Sequence, residues 1–151
     1  MHPMVSTHLA VERQAETLLG STGARRSAPR KRVLTYLLEQ DRAMTRAEIG
    51  HGLDGKPLGG VTLYRVLVWL TEHGLIHRIV CADQSSRFRA NGQTSRREHA
   101  HFQCTRCGGV TCLHEVPLPA QIAVPPGFTR READFLIRGT CARCGGERDP
   151  A

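Results

Sequence analysis

The stretch His99-Ala-His-Phe-Gln-Cys-Thr-Arg-Cys-Gly-Gly109 begins with two alternating histidines and ends in Cys-x-x-Cys-Gly-Gly, a motif that recurs at Cys141-Ala-Arg-Cys-Gly-Gly146. Two residues between the cysteines turn both sulfurs to one side, and the glycines let backbone amides approach the thiolates. Two such zinc knuckles make a closed tetrahedral site, whose binding energy is folding energy for a small domain. The sequence therefore predicts a structural zinc ion bound by Cys104, Cys107, Cys141 and Cys144.

Redox chemistry is the alternative role for these cysteines, because a single Cys-x-x-Cys within a βαβ pattern is typical of thioredoxin-like motifs. Two copies with Gly-Gly after each, and no βαβ pattern around them, favour zinc. Residues 1–19 lack the unbroken apolar core of a secretory signal, and no run reaches the roughly 20 apolar residues of a membrane span. A cytoplasmic protein is expected, with its six cysteines as thiols or metal ligands rather than disulfides.

A second metal site is predicted from the histidines before the first knuckle. On a strand, His99 and His101 project to the same face, about 6.6 Å apart at the backbone. Cys112 and His114 repeat this alternation on the next β-prone run, which should pair with the first. Cys112 can therefore reach the ion that the two histidines bind, although a small buried hydrophobic residue is the competing interpretation.

His77 and Cys81 are two further candidate ligands. Four residues of straight strand separate them by about 13 Å, which is too far for one tetrahedral site. His77 joins the alternating histidines only if its strand folds back on the C-terminal half. The sequence leaves open whether Cys81 or Cys112 supplies a sulfur ligand.

The N-terminal half predicts helices followed by a β-hairpin. Thr45-Arg-Ala-Glu48 has the pattern of a capping box, and Gly74 stands where a helix ends in a C-cap glycine. Residues 75–80 and 86–90 are predicted strands. This order is typical of a winged helix-turn-helix, although a small helical domain with a β-ribbon and no DNA role has the same pattern. The apolar residues that recur with helical spacing are Val33, Leu34, Leu37, Leu38, Leu63, Val66, Leu67 and Leu70.

Composition divides the chain of 151 residues into two halves around a polar segment. We predict an α+β protein with a winged-helix domain at 1–82, a hinge at 83–97 and a small metal-binding α/β domain at 98–151. The second half is expected to contain β-prone runs at 110–116 and 128–137. A net charge of +7 and a pI near 9.6 favour a polyanionic partner, nucleic acid before membrane.

Several of these stretches together resemble the ferric uptake regulator family of bacterial metalloregulators. Val61-Thr-Leu-Tyr-Arg-Val-Leu67 resembles the family's threonine-valine-tyrosine-arginine signature. Residues 99–108 match its His-x-His-x-x-Cys-x-x-Cys-Gly signature, and residues 141–144 match its distal cysteine pair. The likeness covers roughly residues 10 to 145, and the motifs combined are specific.

The resemblance implies a homodimer with a C-terminal dimerisation domain and two winged helices that grip an inverted repeat in double-stranded DNA. Thr62, Tyr64 and Arg65 fall on positions that face the major groove or its phosphates, and Arg30 falls on a phosphate- or minor-groove-contacting position. Arg65 can read a guanine edge bidentately, and Tyr64 can pack against a thymine methyl. Without the resemblance, ordinary helix surface is the preferred interpretation of Tyr64 and Arg65.

The run that ends at His77 resembles the zinc uptake regulator branch, in which this position supplies a sensing ligand. His99 and His101 match the family's sensing histidines. Cys112 matches a position where relatives place a metal-binding carboxylate. A further family ligand, on the second wing strand, is missing from Arg89-Ala-Asn91, and Cys112 is the predicted replacement.

These ligands predict one regulatory zinc ion besides the structural one in each subunit, because nitrogen donors with one sulfur favour zinc over iron(II) or manganese(II). The predicted function is a non-enzymatic, zinc-sensing repressor that controls genes for zinc uptake. One alternative is a sensor of iron, manganese, nickel or peroxide on the same fold, and a more distant one is a zinc-ribbon module that binds nucleic acid without sensing. A zinc deaminase is disfavoured, because it needs His-x-Glu and Pro-Cys-x-x-Cys, which this chain lacks.

Overall fold

The computed structural model describes residues 3–91, 99–116, 118–119, 121–130 and 133–145. The chain is an α+β protein that divides into two compact units, residues 1–94 and 95–151. The boundaries 82 and 98 drawn from the sequence stay predictions, and residues 92–97 of the predicted hinge lie outside the described residues.

Four helices build the core of the first unit: α1 (Pro3–Gly20), α2 (Ala28–Glu39), α3 (Arg46–Gly52) and α4 (Gly60–Glu72). Their apolar faces meet because residues three and four apart share one side of a helix. The buried side chains of the cluster are Ala15, Val33, Leu34, Leu37, Met44, Ile49, Leu63, Val66, Leu67, Leu70, Leu75, Ile76 and Phe88. Leu38, which the spacing also places on this face, is partly buried against the same cluster.

The helix ends follow the local signals in the sequence. At the start of α3 the Thr45 hydroxyl accepts from the Glu48 amide at 3.2 Å, and the Glu48 carboxylate accepts from the Thr45 amide at 2.7 Å. This is the predicted capping box. After α4, Gly74 has a positive φ of 67°, and the Leu75 amide donates to the carbonyl of Leu70 at 3.0 Å. The left-handed turn lets the chain reverse into the hairpin.

The first sheet has the strand order β1-β3-β2, with β1 (Met44–Thr45), β2 (Ile76–Val80) and β3 (Ser86–Ala90) all antiparallel. The hairpin of β2 and β3 forms the wing, as expected. Strand β3 lies inside the range 83–97 assigned to the hinge, so this part of that range is sheet rather than linker. The two-residue strand β1 was not predicted.

The second unit contains a sheet of order β5-β4-β6, formed by β4 (Ala100–Cys104), β5 (Val110–Leu113) and β6 (Phe135–Gly139). Strand β4 pairs antiparallel with β5 and parallel with β6. The short helix α5 (Ala142–Gly145) follows. The predicted β-prone run 128–137 overlaps the observed strand only at its end. Strand β6 begins at Phe135, and residues 128–130 have no regular structure.

Candidate metal centres and nucleic-acid interface

The four knuckle cysteines come together in the second unit. Cys104 ends β4, Cys107 lies in the turn after it, and Cys141 and Cys144 lie at and within α5. Their sulfur atoms are all within 4.8 Å of one another, and the Cys107 and Cys141 sulfurs are 3.9 Å apart. Tetrahedral zinc with bonds of about 2.3 Å holds its sulfurs about 3.8 Å apart. The cluster therefore fits a structural zinc ion.

Backbone amides stabilise the thiolate forms of the first knuckle. The amides of Cys107 and Cys141 donate to the Cys104 sulfur and lower the pKa of that thiol to about 6. The Gly109 amide lowers the pKa of Cys107 in the same way. A Cβ on Gly109 would lie 3.3 Å from the Cys107 sulfur, so a glycine allows this close approach, as expected for the first knuckle.

The second knuckle adds two thiols and the cation of Arg143 to the cluster. A hydrogen bond with Cys141, together with burial, raises the pKa of Cys144 to about 12 in the thiol cluster. The Arg143 guanidinium forms a hydrogen bond with Cys107, which raises the pKa of Arg143. Four thiolates on one divalent ion carry a net negative charge, so this guanidinium is well placed to balance it.

Loss of one knuckle cysteine should remove the structural ion. We expect Cys141→Ser to lower the zinc content by one ion per subunit and to lower the melting temperature, because three thiolates and a hydroxyl form a weaker site. Elemental analysis and thermal denaturation measure the two effects. Cys81→Ala is the matched control, since Cys81 is buried in the first unit outside the knuckle cluster. Full zinc content in Cys141→Ser would contradict this assignment.

A second cluster of donors lies on the sheet of the second unit. His101 on β4 is paired directly with Cys112 on β5, as the alternation predicted. His99, His101 and Cys112 each offer one ligand atom, and these atoms lie within 4.8 Å of one another. His101 is buried, while His99 and Cys112 are partly buried. Two imidazoles and one sulfur at this spacing are compatible with a single ion.

His77 lies in the first unit, on β2, with its ring oriented by hydrogen bonds. The Asn91 side-chain amide donates to the Gly74 carbonyl at 2.8 Å, so the Asn91 carbonyl oxygen faces the other way. That oxygen lies 2.5 Å from Nδ1 of His77 and accepts its proton. A proton on Nδ1 satisfies this contact, and in that neutral tautomer Nε2 carries the lone pair.

Cys81 follows β2 and is buried, with its amide bonded to the Ser85 carbonyl. Among the described residues it belongs to neither donor cluster. Cys112, by contrast, lies beside the two histidines of the second unit. Of the two cysteines that the sequence leaves open as ligands, Cys112 lies near these histidines and Cys81 is not in their cluster, while the ligand role of Cys112 stays a prediction.

The predicted DNA contacts lie on the surface of the first unit. Thr62, Tyr64 and Arg65 are exposed on the first two turns of α4, which is the part of a recognition helix that reaches base edges. The Arg30 guanidinium lies 3.7 Å above the ring of Trp69. This cation–π contact holds the Arg30 side chain against α4.

Three residues with a place in these sites were not selected from the sequence. The sequence predicts no hydrogen-bonding role for Asn91, no packing role for Trp69 and no separate role for His114. Single residues such as Asn91 and Trp69 carry no spacing signal, so their contacts become visible only with neighbours in place, whereas His114 has a signal in its alternation with Cys112. His114 lies with its ring centroid 4.5 Å from that of His99.

A winged helix with an exposed recognition helix, followed by a unit with two clusters of metal donors, defines a metal-responsive DNA-binding regulator. The model of the ferric uptake regulator family matches residues 21–123, and the chain belongs to that family. It is accordingly a transcription regulator and not an enzyme. Among the described residues, none of the helices combines the length and apolar character needed to span a membrane.

Similar proteins include regulators of different signals. The peroxide operon regulator of Bacillus subtilis (strain 168) is 31% identical over 137 residues, which cover 87% of this chain and 92% of that protein. The ferric uptake regulation protein of the same organism is 26% identical, with 85% and 91% covered. A zinc uptake regulator structure in complex with zinc and DNA has a TM-score of 0.66 at 24% identity, with 93% and 96% covered, and shows the shared fold.

Proposed function

We propose that this regulator senses zinc, acts as a homodimer in the cytoplasm and represses genes for zinc uptake by binding an inverted-repeat operator. The observation that carries the proposal is the donor set of His99, His101 and Cys112, whose ligand atoms lie within 4.8 Å. This set contains two imidazoles and one sulfur, and no carboxylate. Such donors favour zinc, whereas iron(II) and manganese(II) are more often held with carboxylates.

The alternative signals differ in the ion that must activate the protein. Relatives named for peroxide and for ferric uptake are 31% and 26% identical, so family membership alone does not select zinc. Operator binding by protein that keeps its structural zinc, titrated with zinc, iron(II), manganese(II) and nickel(II), separates these signals. Activation by zinc at the lowest concentration supports the proposal, and activation by iron(II) or manganese(II) in preference to zinc refutes it.

His77 is the proposed ligand from the first unit, through Nε2. A histidine that binds a metal usually donates its other ring N–H to an oxygen acceptor, which fixes the tautomer. The bond from Nδ1 of His77 to the carbonyl oxygen of Asn91 has this form. Asn91 is itself held by a hydrogen bond to the carbonyl of Gly74, so the residues that orient His77 all belong to the first unit.

The proposed mechanism depends on His77 and the two histidines of the second unit sharing one ion. A bound ion would link its ligands rigidly. The elements joined in this way would be β2, which carries His77, and β4, which carries His101. His77 then holds the wing, and with it α4, in one orientation toward the second unit. Operator binding becomes tighter because less freedom is lost on association, and a coupling of about 1–3 kcal/mol per subunit is sufficient.

The histidines of the second unit should be essential for the response to zinc but not for folding. We expect His99→Ala to abolish zinc-stimulated operator binding while the protein stays a folded dimer that keeps its structural zinc. Fluorescence anisotropy with labelled operator DNA, selected from random sequence by the zinc-loaded protein, measures the effect. Thr111→Ala, an exposed position on the neighbouring strand β5, is the control. Unchanged stimulation in His99→Ala would rule out the assigned site.

The role of Asn91 is tested through a double-mutant cycle with His77. Asn91→Ala should lower the affinity for regulatory zinc by about 10-fold, because the His77 tautomer is no longer fixed. In the His77→Ala background the same change should have no further effect, since the two residues act through one ligand. Zinc affinity is measured by competition with a chelating dye. Additive losses would show that Asn91 acts elsewhere.

The two proposed classes of DNA contact should respond differently to substitution. Arg65→Ala should weaken operator binding by about 1–3 kcal/mol and leave binding to scrambled DNA nearly unchanged, because a base contact is lost. Arg30→Ala should weaken binding to both DNAs and reduce the slope of log affinity against log salt by about 1. Anisotropy titrations at several salt concentrations measure both. Full operator affinity in Arg65→Lys would contradict a bidentate base contact.

A further inference from the structure

His114 lies next to the donor cluster of the second unit, directly after strand β5. In the antiparallel pairing of β4 and β5, His101 is opposite Cys112 and Ala100 is opposite Leu113. His99 and His114 adjoin this last pair, with His99 just before β4 and His114 just after β5. His101 and Cys112 are directly opposite each other, and His99 and His114 flank them at the same end of the two strands.

Ring positions support a shared ligand role for the three histidines. The centroid of the His99 ring lies 4.5 Å from that of His101 and 4.5 Å from that of His114. Two imidazoles bound to one tetrahedral zinc ion have centroids about 5 Å apart, given bonds of about 2.0–2.1 Å. His114 thus stands at the same distance from His99 as the partner that the family signature provides.

We propose that His114 is a fourth metal ligand, so that His99, His101, Cys112 and His114 let the second unit hold the regulatory ion without His77. The inference rests on the proposed function, and it concerns the order in which the ligands bind the regulatory ion. A tetrahedral zinc site needs four donors. Three come from His99, His101 and Cys112, whose ligand atoms lie within 4.8 Å of one another, and the ring of His114 lies beside that of His99. His77 and His114 are then alternative fourth ligands.

The position of His114 suits a ligand that can be replaced. His101 is buried at 6% relative exposure, whereas His114 is exposed in the turn after β5. An exposed side chain outside the ladder can leave the ion at little cost in packing. The ion is captured first by the sheet of the second unit, and exchange of His114 for His77 then joins the wing to it. Binding of the metal ion and formation of the DNA-binding state are therefore separate steps.

The test is a cobalt(II) titration of full-length protein whose knuckle site is already filled with zinc. Cobalt(II) reports tetrahedral coordination through its visible absorption. His77→Ala should still bind one cobalt ion per subunit with a tetrahedral spectrum. His77→Ala/His114→Ala should bind it about 100-fold more weakly or lose the tetrahedral spectrum, because a ligand is removed rather than an outer contact.

Two further variants separate ligation from other effects. His77→Ala/His114→Phe keeps a ring against His99 but offers no donor, and it should be as weak as the alanine variant. His77→Ala/His51→Ala removes an exposed histidine of α3 and should match His77→Ala alone. Circular dichroism and retained knuckle zinc show that each variant is folded.

Three results would overturn the proposal: no cobalt site in His77→Ala, an unchanged site after His114→Ala is added, or recovery of the site by His114→Phe. These measurements contain no DNA, so they stand apart from the proposed function. If operator binding proves independent of zinc while the cobalt results hold, the repressor mechanism fails and the four-ligand site remains.

Discussion

Strand β4 is the constraint on which both metal centres depend. It pairs with β5 on one side and β6 on the other, so its backbone is held along its whole length. The alternation of side chains along a strand sends His101 to one face and Cys104 to the opposite face. One strand of five residues thereby supplies ligands to two sites and keeps their donors from mixing. Loss of its central position in the sheet would disturb both sites together.

The wing of the first unit combines two tasks in a similar way. The glycine that ends α4 with a positive φ also accepts the hydrogen bond that orients Asn91, and Asn91 orients the ring of His77. The residues at the start of the hairpin after the recognition helix therefore also orient the proposed metal ligand His77. A change in the turn at Gly74 reaches the proposed sensing ligand through two hydrogen bonds, without passing through the apolar core.

The contact between α2 and α4 also connects two of the proposed DNA-binding residues. Trp69 lies on α4, four residues after Arg65, and its ring supports the guanidinium of Arg30 from α2. Packing between these two helices thus sets the spacing between a candidate base contact and a candidate phosphate contact. The stack continues to His73, whose ring centroid lies 3.8 Å from that of Trp69.

Much of this architecture could be read from local patterns, because those patterns act over a few residues. The Thr45–Glu48 capping box, the turn at Gly74 and the grouping of the four knuckle cysteines all depend on short spacings, and the structure contains each of them. The pairing of β4 with β6, the two-residue strand β1 and the position of Cys112 beside His101 depend on contacts between distant segments. The same is true of Asn91 and His114, which acquire a role only beside His77 and His99. The sequence by itself determined which ligands and caps exist, since their chemistry is local, and only the tertiary structure decided which of them meet, since that depends on how strands far apart in the chain are paired.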